Sequence, residues 1–505
     1  MRRSHLPLPP GRCFRAALAL AFVLCTSPAA VRAQASAGAA PAPGRCGAGA
    51  LPAAADSIDR AAVRIMTGAH VPALSLALLD HGRIRALRAY GWADLEHCVP
   101  ATDSTLFGIG SISKHFTAVG TLLLVQAGKL SLDDPITKYL PEGAGAWDGI
   151  TVRHLLTHTS GIPDYCGDDD KYPSITLDRA ASPETSALVR QIAGAKLNFH
   201  PGDDWAYSNT GYLLLSVLVE RVSGQPFPDY MREHVFLPAG MTRTRFYSPI
   251  EVIPDRAVPY RVDPAGIARH GPFISDQFSR WGDMGILSTA RDMARWGLAM
   301  DSLRLISPEL WRRMWTPVRL NQGWAFPYGF GLRESEVRGH PAVEHGGTFR
   351  VGYSANFVRL PDRGLTVTVL SNHLGQGFPP AALSGEVLAI VDPALGPRTG
   401  MQPGPDPQPR ITRALLQLLQ GADEAHGAIR TTDAFRHLEL PELLHLPGVR
   451  GIAFLECTTP VHEPPEGLGT PVARACTYRI DADDSPPTLT FLLTRSGELA
   501  GLADW

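Results

Sequence analysis

The stretch TLFGIGSISKHFTAVGTLLLVQAGKL, Thr105–Leu130, decides how the chain is read. From Ser111 onward its apolar residues recur at helical spacing, and Gly128 stops the run. At its head stands Ser111-Ile112-Ser113-Lys114. Ser111 is expected to open the helix, with Lys114 one turn on and on the same face. A serine hydroxyl is a weak nucleophile until a neighbouring base takes its proton. An ammonium cannot do that, but a neutral amine can. The positive end of a helix dipole and partial burial both disfavour the charged lysine. Four residues alone are equally well explained by an N-cap serine and a solvated lysine. The rest of the chain has to arbitrate.

Working outward, VPALSLALLDHGRIRALRAYGWADL (71–95) reads as two strands joined at Asp80-His81-Gly82, a hairpin signal. Helical patterns recur near 151–160, 184–195 and 208–223. EHGGTFRVGYSANFVRL (344–360) and GLTVTVLSN (364–372) are strand runs around the turn Pro361-Asp362-Arg363-Gly364. Strands at both ends of the segment with helices between them predict a mixed α/β sandwich whose sheet is built from the two termini. PRTGMQPGPDPQPR (397–410) is Pro-rich without periodicity and reads as part of a linker, taken as 396–410. Residues 411–505 are expected to form a small α+β accessory domain. It would hold one amphipathic helix and three strands, the last two joined by Arg495-Ser496-Gly497. No tandem repeat is seen.

The first 33 residues read as a secretory signal peptide. Arg2, Arg3, Arg12 and Arg15 precede the short apolar run Ala16–Cys25, and small Ala33 offers a cleavage point. Ten apolar residues are too few to span a bilayer, and no later run reaches about 18, so no transmembrane segment is expected in the mature chain. Bulky Leu24 before Cys25 argues against lipidation. Residues 34–56 are a leader of mostly Ala, Gly and Pro, and the main domain is placed at 57–395. The expected location is periplasmic or extracellular.

Of 505 residues, 44% are apolar and 19% charged, enough for a full core. The 49 Gly and 44 Pro, about 18% of the chain, imply many turns and irregular loops. Formal net charge is −2, and removing residues 1–33 takes five Arg and no acid, leaving 42 basic against 49 acidic residues. With no basic excess, nucleic acid is not an expected partner. Five cysteines remain after the signal: Cys46, Cys98, Cys166, Cys457 and Cys476. Cys457 and Cys476 lie on the strand-like runs GIAFLECT and VARACTYRI, which antiparallel pairing could bring opposite each other. Among the other three the sequence does not choose a pair.

Two further elements could carry chemistry. In FHPGDDWAYSNTGYLLLSVLVE, Tyr207 and Asn209 stand at the start of an apolar helix and can point into one cleft. Tyrosine can pass a proton to a leaving group, and asparagine can orient a lysine or a substrate. In His345-Gly346-Gly347-Thr348, two glycines let another backbone approach a strand edge, where a ligand could lie as an added strand. His345 could donate to that ligand or relay a proton near neutral pH.

Together these elements make the chain resemble the serine β-lactamase and penicillin-binding-protein superfamily, specifically its class C β-lactamase-like serine hydrolases. The order Ser111/Lys114, Tyr207/Asn209, His345/Gly347 matches that family's S-x-x-K, Y-x-N and H-x-G. TLFGIGSISKHFTA, LDDPITKYLPE, ITVRHLLTHTSGIPDY, FHPGDDWAYSNTGYLLL, GDMGILSTARDMARW and EHGGTFRVGYSANF also look like it, over roughly 57–395. The resemblance implies an α/β sandwich of an antiparallel sheet plus a helical subdomain. It implies Ser111 as acylated nucleophile, Lys114 as its base partner and Tyr207 as second acid/base. Asn209 would position Lys114 and a substrate amide. The backbone N–H groups of Ser111 and Thr348 would form the oxyanion hole. His345 stands where K-T-G members carry lysine, which normally helps hold a free carboxylate. H-x-G members are more often D-amino-acid peptidases, amidases or esterases. Arg350 could restore the carboxylate contact, or be a solvated strand charge.

No cofactor is implied. GIGSISK lacks G-x-x-x-x-G-K-[ST], and no G-x-S-x-G surrounds Ser111. His154 and His158 are four apart, but the Glu of H-E-x-x-H is missing, so no metal site is expected. Two function classes stay open. The first is an exported serine hydrolase acting on a small-molecule or peptide carbonyl, possibly cell-wall derived, with a true class C-like β-lactamase as its variant. The second is a non-catalytic sensor that reads cell-wall peptides. The sequence does not settle the oligomeric state.

Overall fold

The strand Ala73–Asp80 (β1) is buried from Ala73 to Leu79 and mostly apolar because both of its faces are covered. It turns through His81 and Gly82, with φ of 46° and 70°, into Arg83–Asp94 (β2), as the hairpin reading required. The chain is seen here in a computed structural model. It describes residue 46 and residues 55–167, 172–178, 181, 183–323, 325–396, 405–420, 449–458, 472–481, 488–494 and 499–503. The expected signal peptide, most of the leader, residues 397–404 of the linker and the turn 495–497 lie outside the described residues.

β1 and β2 are joined by Val99–Pro100 (β3), Arg333–Val337 (β4), His340–Phe349 (β5), Tyr353–Leu360 (β6) and Leu365–Ser371 (β7). The seven strands run in the order β4-β5-β6-β7-β1-β2-β3, each pair antiparallel. The register Leu74↔Ser371 to Asp80↔Leu365 seals the N-terminal hairpin onto the C-terminal strands. One face packs Leu74, Leu76, Leu78, Val367 and Val369 under the helices Ser57–Gly68 (α1) and Pro379–Val391 (α5). On the other, Ala77 and Leu79 meet Ala290 and Ala294 of Ala290–Asp301 (α4). This is the expected sandwich.

Between β3 and β4 lies the helical part. Its centre is the pair Ser113–Gln126 (α2) and Asn209–Ser223 (α3), whose apolar side chains share the largest core. The helix expected over 151–160 is only Val152–Leu156, because the chain turns left-handed at His158, φ 60°. Arg221, near the end of α3, makes two hydrogen bonds to Glu142, at 2.8 and 2.6 Å. That ties α3 to the Pro141–Gly143 turn.

Farther on, Pro409–Leu419 (α6) already begins inside the expected linker. Four antiparallel strands follow rather than three: Gly451–Thr458, Val472–Asp481, Thr488–Thr494 and Leu499–Ala503. The last of them, Leu499–Ala503, follows the expected turn and pairs with the third strand. α6 and these strands share a hydrophobic cluster around Leu415, Tyr478 and Phe491. Cys457 lies opposite Cys476 in register, and the two form a disulfide. A second disulfide joins Cys46 to Cys98, the pair that the sequence did not choose.

The Arg221 hydrogen bonds hold the half-buried Glu142 carboxyl down at about 2. A depressed carboxyl stabilises the fold above its ordinary value and loses that contribution as pH falls through the lowered one. Glu142→Gln is therefore expected to cost about 2 kcal/mol at pH 7. Urea melts should show the gap to wild type closing as pH falls from about 4.5 towards 2.

Candidate active site

Ser111 lies in a 3-10 turn, Gly110–Ile112, directly ahead of α2, and does not itself open the α-helix. The turn is wedged against the edge of the sheet. Gly110 has φ +52°, and a Cβ there would sit 2.5 Å from Thr348 N. A Cβ on Gly347 would sit 1.9 Å from Ile109 O. Only glycines allow β5 and the Gly110–Ile112 turn to touch backbone to backbone. The backbone of Thr348 is thereby brought beside the turn that carries Ser111. β4 pairs with β5 only from His340 to Glu344, so β4 does not cover residues 345–349.

Lys114 is fully buried. Its Nζ lies 3.1 Å from Ser111 Oγ, 2.8 Å from Asn209 Oδ1 and 2.9 Å from the carbonyl oxygen of Asp283. The Tyr207 ring centroid is 4.7 Å from the same nitrogen. Three oxygens from three pieces of chain thus stand within hydrogen-bond distance of one buried nitrogen.

Asn209 is aimed by Asp164. The Asp164 carboxylate accepts the Asn209 backbone N–H at 2.6 Å and its side-chain amide at 3.2 Å. The amide oxygen is thus turned towards Lys114. Asp164 also accepts the N–H groups of Thr210 and Cys166. Ser208 caps α3, its hydroxyl accepting from Gly211 N–H, while its own N–H donates to His158 Nδ1 at 3.0 Å. His158 packs against Tyr207 at a ring separation of 4.5 Å. Burial and the nearby Lys114 cation push it well below the usual imidazole range. His154 instead serves the cap of its own short helix through Thr151. The two imidazoles are separate structural groups.

His345 is buried. The Tyr328 hydroxyl lies 2.9 Å from its Nε2, and its Nδ1 lies 2.5 Å from Gly346 O. A carbonyl only accepts, so Nδ1 carries the hydrogen and Nε2 accepts from Tyr328. Burial, and secondarily the Lys114 cation, push the ring down to about 3. The ring therefore stands neutral at pH 7 with both nitrogens engaged. Arg350 donates to Cys166 O at 2.8 Å, tying the β5–β6 turn to the loop after Asp164. Beside Tyr207 opens a cleft lined by Asp164, Tyr172, Ser174 and Asn198.

Sequence reasoning missed Asp164, Asp283 and Tyr328. The first two stand in stretches marked only as framing, SGIPDY and GDMGILST, and act through a carboxylate and a backbone oxygen that no spacing rule shows.

The chain matches the Beta-lactamase family over residues 58–390 and belongs to it. That places it in the superfamily of serine β-lactamases and penicillin-binding proteins. It is 33% identical over 313 residues to a penicillin-binding protein of Bacillus subtilis, covering 58% of this chain and 66% of the relative. It is 30% identical over 333 residues to a D-aminopeptidase of Gluconobacter oxydans, covering 64% of this chain and 59% of the relative. The matched part thus spans about three fifths to two thirds of these relatives' length. Among solved structures it is similar to the octameric penicillin-binding protein homologue from Pyrococcus abyssi. There the TM-score is 0.58 at 25% identity, covering 86% of this chain and 90% of that one. A penicillin-binding protein from Bacillus halodurans gives 0.53 at 26%, covering 65% and 98%.

The Gly347 contact gives a direct test of the wedge. Gly347→Ala puts a methyl into the space of Ile109 O. It should separate Thr348 from the Ser111 turn and slow acylation of Ser111 about 100-fold. Stopped-flow acylation by an activated ester checks the rate, and circular dichroism checks that the fold is kept.

Proposed function

We propose that the protein is an exported serine hydrolase that forms an acyl-enzyme at Ser111 and cleaves a peptide, amide or ester carbonyl, in the manner of a D-peptidase or esterase. The observation that carries this is the buried Lys114 amine, 3.1 Å from Ser111 Oγ between two fixed acceptors. Lys114 takes the Ser111 proton as Oγ bonds to the carbonyl carbon. The carbonyl electrons move to its oxygen, which the N–H groups of Ser111 and Thr348 stabilise. The C–N or C–O bond then breaks, and the leaving group takes a proton through Tyr207. Water completes the cycle by the reverse route. An extended substrate would run along the part of β5 that β4 leaves uncovered, residues 345–349.

The neutral His345 favours the D-peptidase or esterase reading over carboxylate-ended substrates, because it supplies no cation where K-T-G members have one. Arg350 is already directed at Cys166 O. The name of the Gluconobacter relative points the same way. Export is supported by the N-terminal pattern and by the disulfides Cys46–Cys98 and Cys457–Cys476, which suit an oxidising compartment.

The test pairs wild type with Ser111→Ala. D-alanine p-nitroanilide and p-nitrophenyl esters should be turned over by wild type alone, the variant losing a factor on the order of 10⁴ or more. Intact mass after mixing with penicillin should show at most a slow adduct and little drug consumed. Rapid consumption of the drug would make it a β-lactamase instead. Tight binding of cell-wall peptides with no turnover of any probe would make it a sensor.

A further inference from the structure

One buried carboxyl beside Lys114 has no part in the chemistry above. Asp283 is fully shielded from solvent. Its segment runs between α2 and α3 and is clamped from both. Thr117 Oγ1 donates to Gly282 O at 2.7 Å, and Gly282 N–H donates to Ser216 Oγ at 2.6 Å. Ile286 N–H donates to Ser113 Oγ at 3.2 Å. A Cβ on Gly282 would lie 2.2 Å from Thr117 Oγ1, so the segment has no room to shift. This backbone presents Asp283 O to Lys114 Nζ, while the carboxyl turns to Tyr165, whose hydroxyl donates to Oδ2 at 2.5 Å. Oδ1 receives no donor from another residue.

The two buried carboxyls flanking the lysine are therefore served very differently. Asp164 collects three backbone N–H groups and an amide. Asp283 has one phenol. Burial pushes its carboxyl up to about 6, against the downward pull of the Lys114 cation. The titratable groups that face it are Lys114 from α2 and Tyr165 and Asp164 from the neighbouring loop, with Cys166 close to Tyr165. α3 contributes neutral groups here, Asn209 to Lys114 and Ser216 to Gly282.

We propose that Asp283 is a positioning residue with two jobs: its backbone oxygen fixes one hydrogen of the Lys114 amine, and its carboxylate is the buried counter-charge for the ammonium that forms when Lys114 takes the Ser111 proton. This rests on the nucleophile–base reading of Ser111 and Lys114. The carboxylate forms and breaks no bond. It stabilises the charged lysine, so it raises the pH at which the amine becomes available and speeds the proton transfer once it is.

The sign of this effect separates it from a structural role. In Asp283→Asn the backbone oxygen stays and the charge goes. Lys114, followed by NMR of ε-carbon-labelled lysine in the full chain, should titrate about one pH unit lower than in wild type. The acid limb of Ser111 labelling by a fluorophosphonate, read by intact mass, should move down with it. The high-pH labelling rate should fall about tenfold. A variant that merely loosens packing would scale the labelling curve without moving its limb. Unchanged Lys114 titration in Asp283→Asn overturns the proposal. Tyr165→Phe, which keeps the ring and removes the donor, covers the case in which the first variant does not fold. It makes Asp283 harder to ionise and should also lower the Lys114 titration, and no change there overturns the proposal equally. If wild-type Ser111 takes no label while the Lys114 shift is present, the hydrolase reading falls and the Asp283–Lys114 coupling stands.

Discussion

A lysine amine buried out of reach of water is the constraint on which the rest of the site depends. Lys114 is the one Lys or Arg among the described residues that is fully buried. Burying such a group without partners costs several kcal/mol, so the fold has to bring oxygens to it. They come from three separate pieces of chain: the Gly110–Ile112 turn, the start of α3 and the Gly282–Met284 segment. Each piece must then be held within a few tenths of an ångström. This accounts for polar links that would be odd in a purely apolar helix pair, such as Thr117 to Gly282 and Gly282 to Ser216. It also accounts for Asp164, whose carboxylate fixes Asn209 so that its amide oxygen, not its nitrogen, meets the amine.

The sheet contributes the other half of the geometry. β5 lies close enough to the Gly110–Ile112 turn for the backbone of Thr348 to stand beside it, and side chains at Gly110 or Gly347 would prevent that. β4 pairs no farther than Glu344, which leaves residues 345–349 uncovered by it. β5 can be rigid there because its other edge is fully paired with β6, from Val343↔Arg359 to Phe349↔Tyr353. Helical part and sheet thus each bring one side of the site, and the fixed contact between them is glycine backbone.

Much of this was legible in the sequence, and what was not has a physical reason. The hairpin at His81-Gly82 and the Cys457–Cys476 pairing are local patterns that can be read from spacing, whereas Ser111/Lys114, Tyr207/Asn209 and His345/Gly347 were grouped by the family resemblance. Asp164 and Asp283 were hidden because their contribution lies in which way a carboxylate or a carbonyl points in the folded chain. Cys46–Cys98 was hidden because Cys46 sits in an Ala/Gly/Pro stretch with no periodicity to place it. His345 was placed on a strand, but its burial was not read. Period-2 alternation on β5 buries residue 345 and exposes Gly346 and Thr348, and a buried imidazole next to a cation does not stay charged.

That last point reaches beyond one residue. His115, His158 and His345 all lie around Lys114, and all are pushed below the usual imidazole range, first by burial; the Lys114 cation contributes in each case. Three imidazoles that charged near neutral pH would surround the amine with positive charge and compete with it for protons. Kept neutral, they act as shape and as hydrogen-bond struts: His158 against Tyr207, and His345 between Tyr328 and Gly346. The positive charge in the buried part of the site is then confined to one atom, Lys114 Nζ. In this setting the replacement of a lysine by His345 does more than remove a ligand for substrate carboxylates. A second permanent ammonium on β5 would oppose protonation of Lys114, whereas a neutral imidazole leaves the control of that amine to the oxygens and carboxyls that face it.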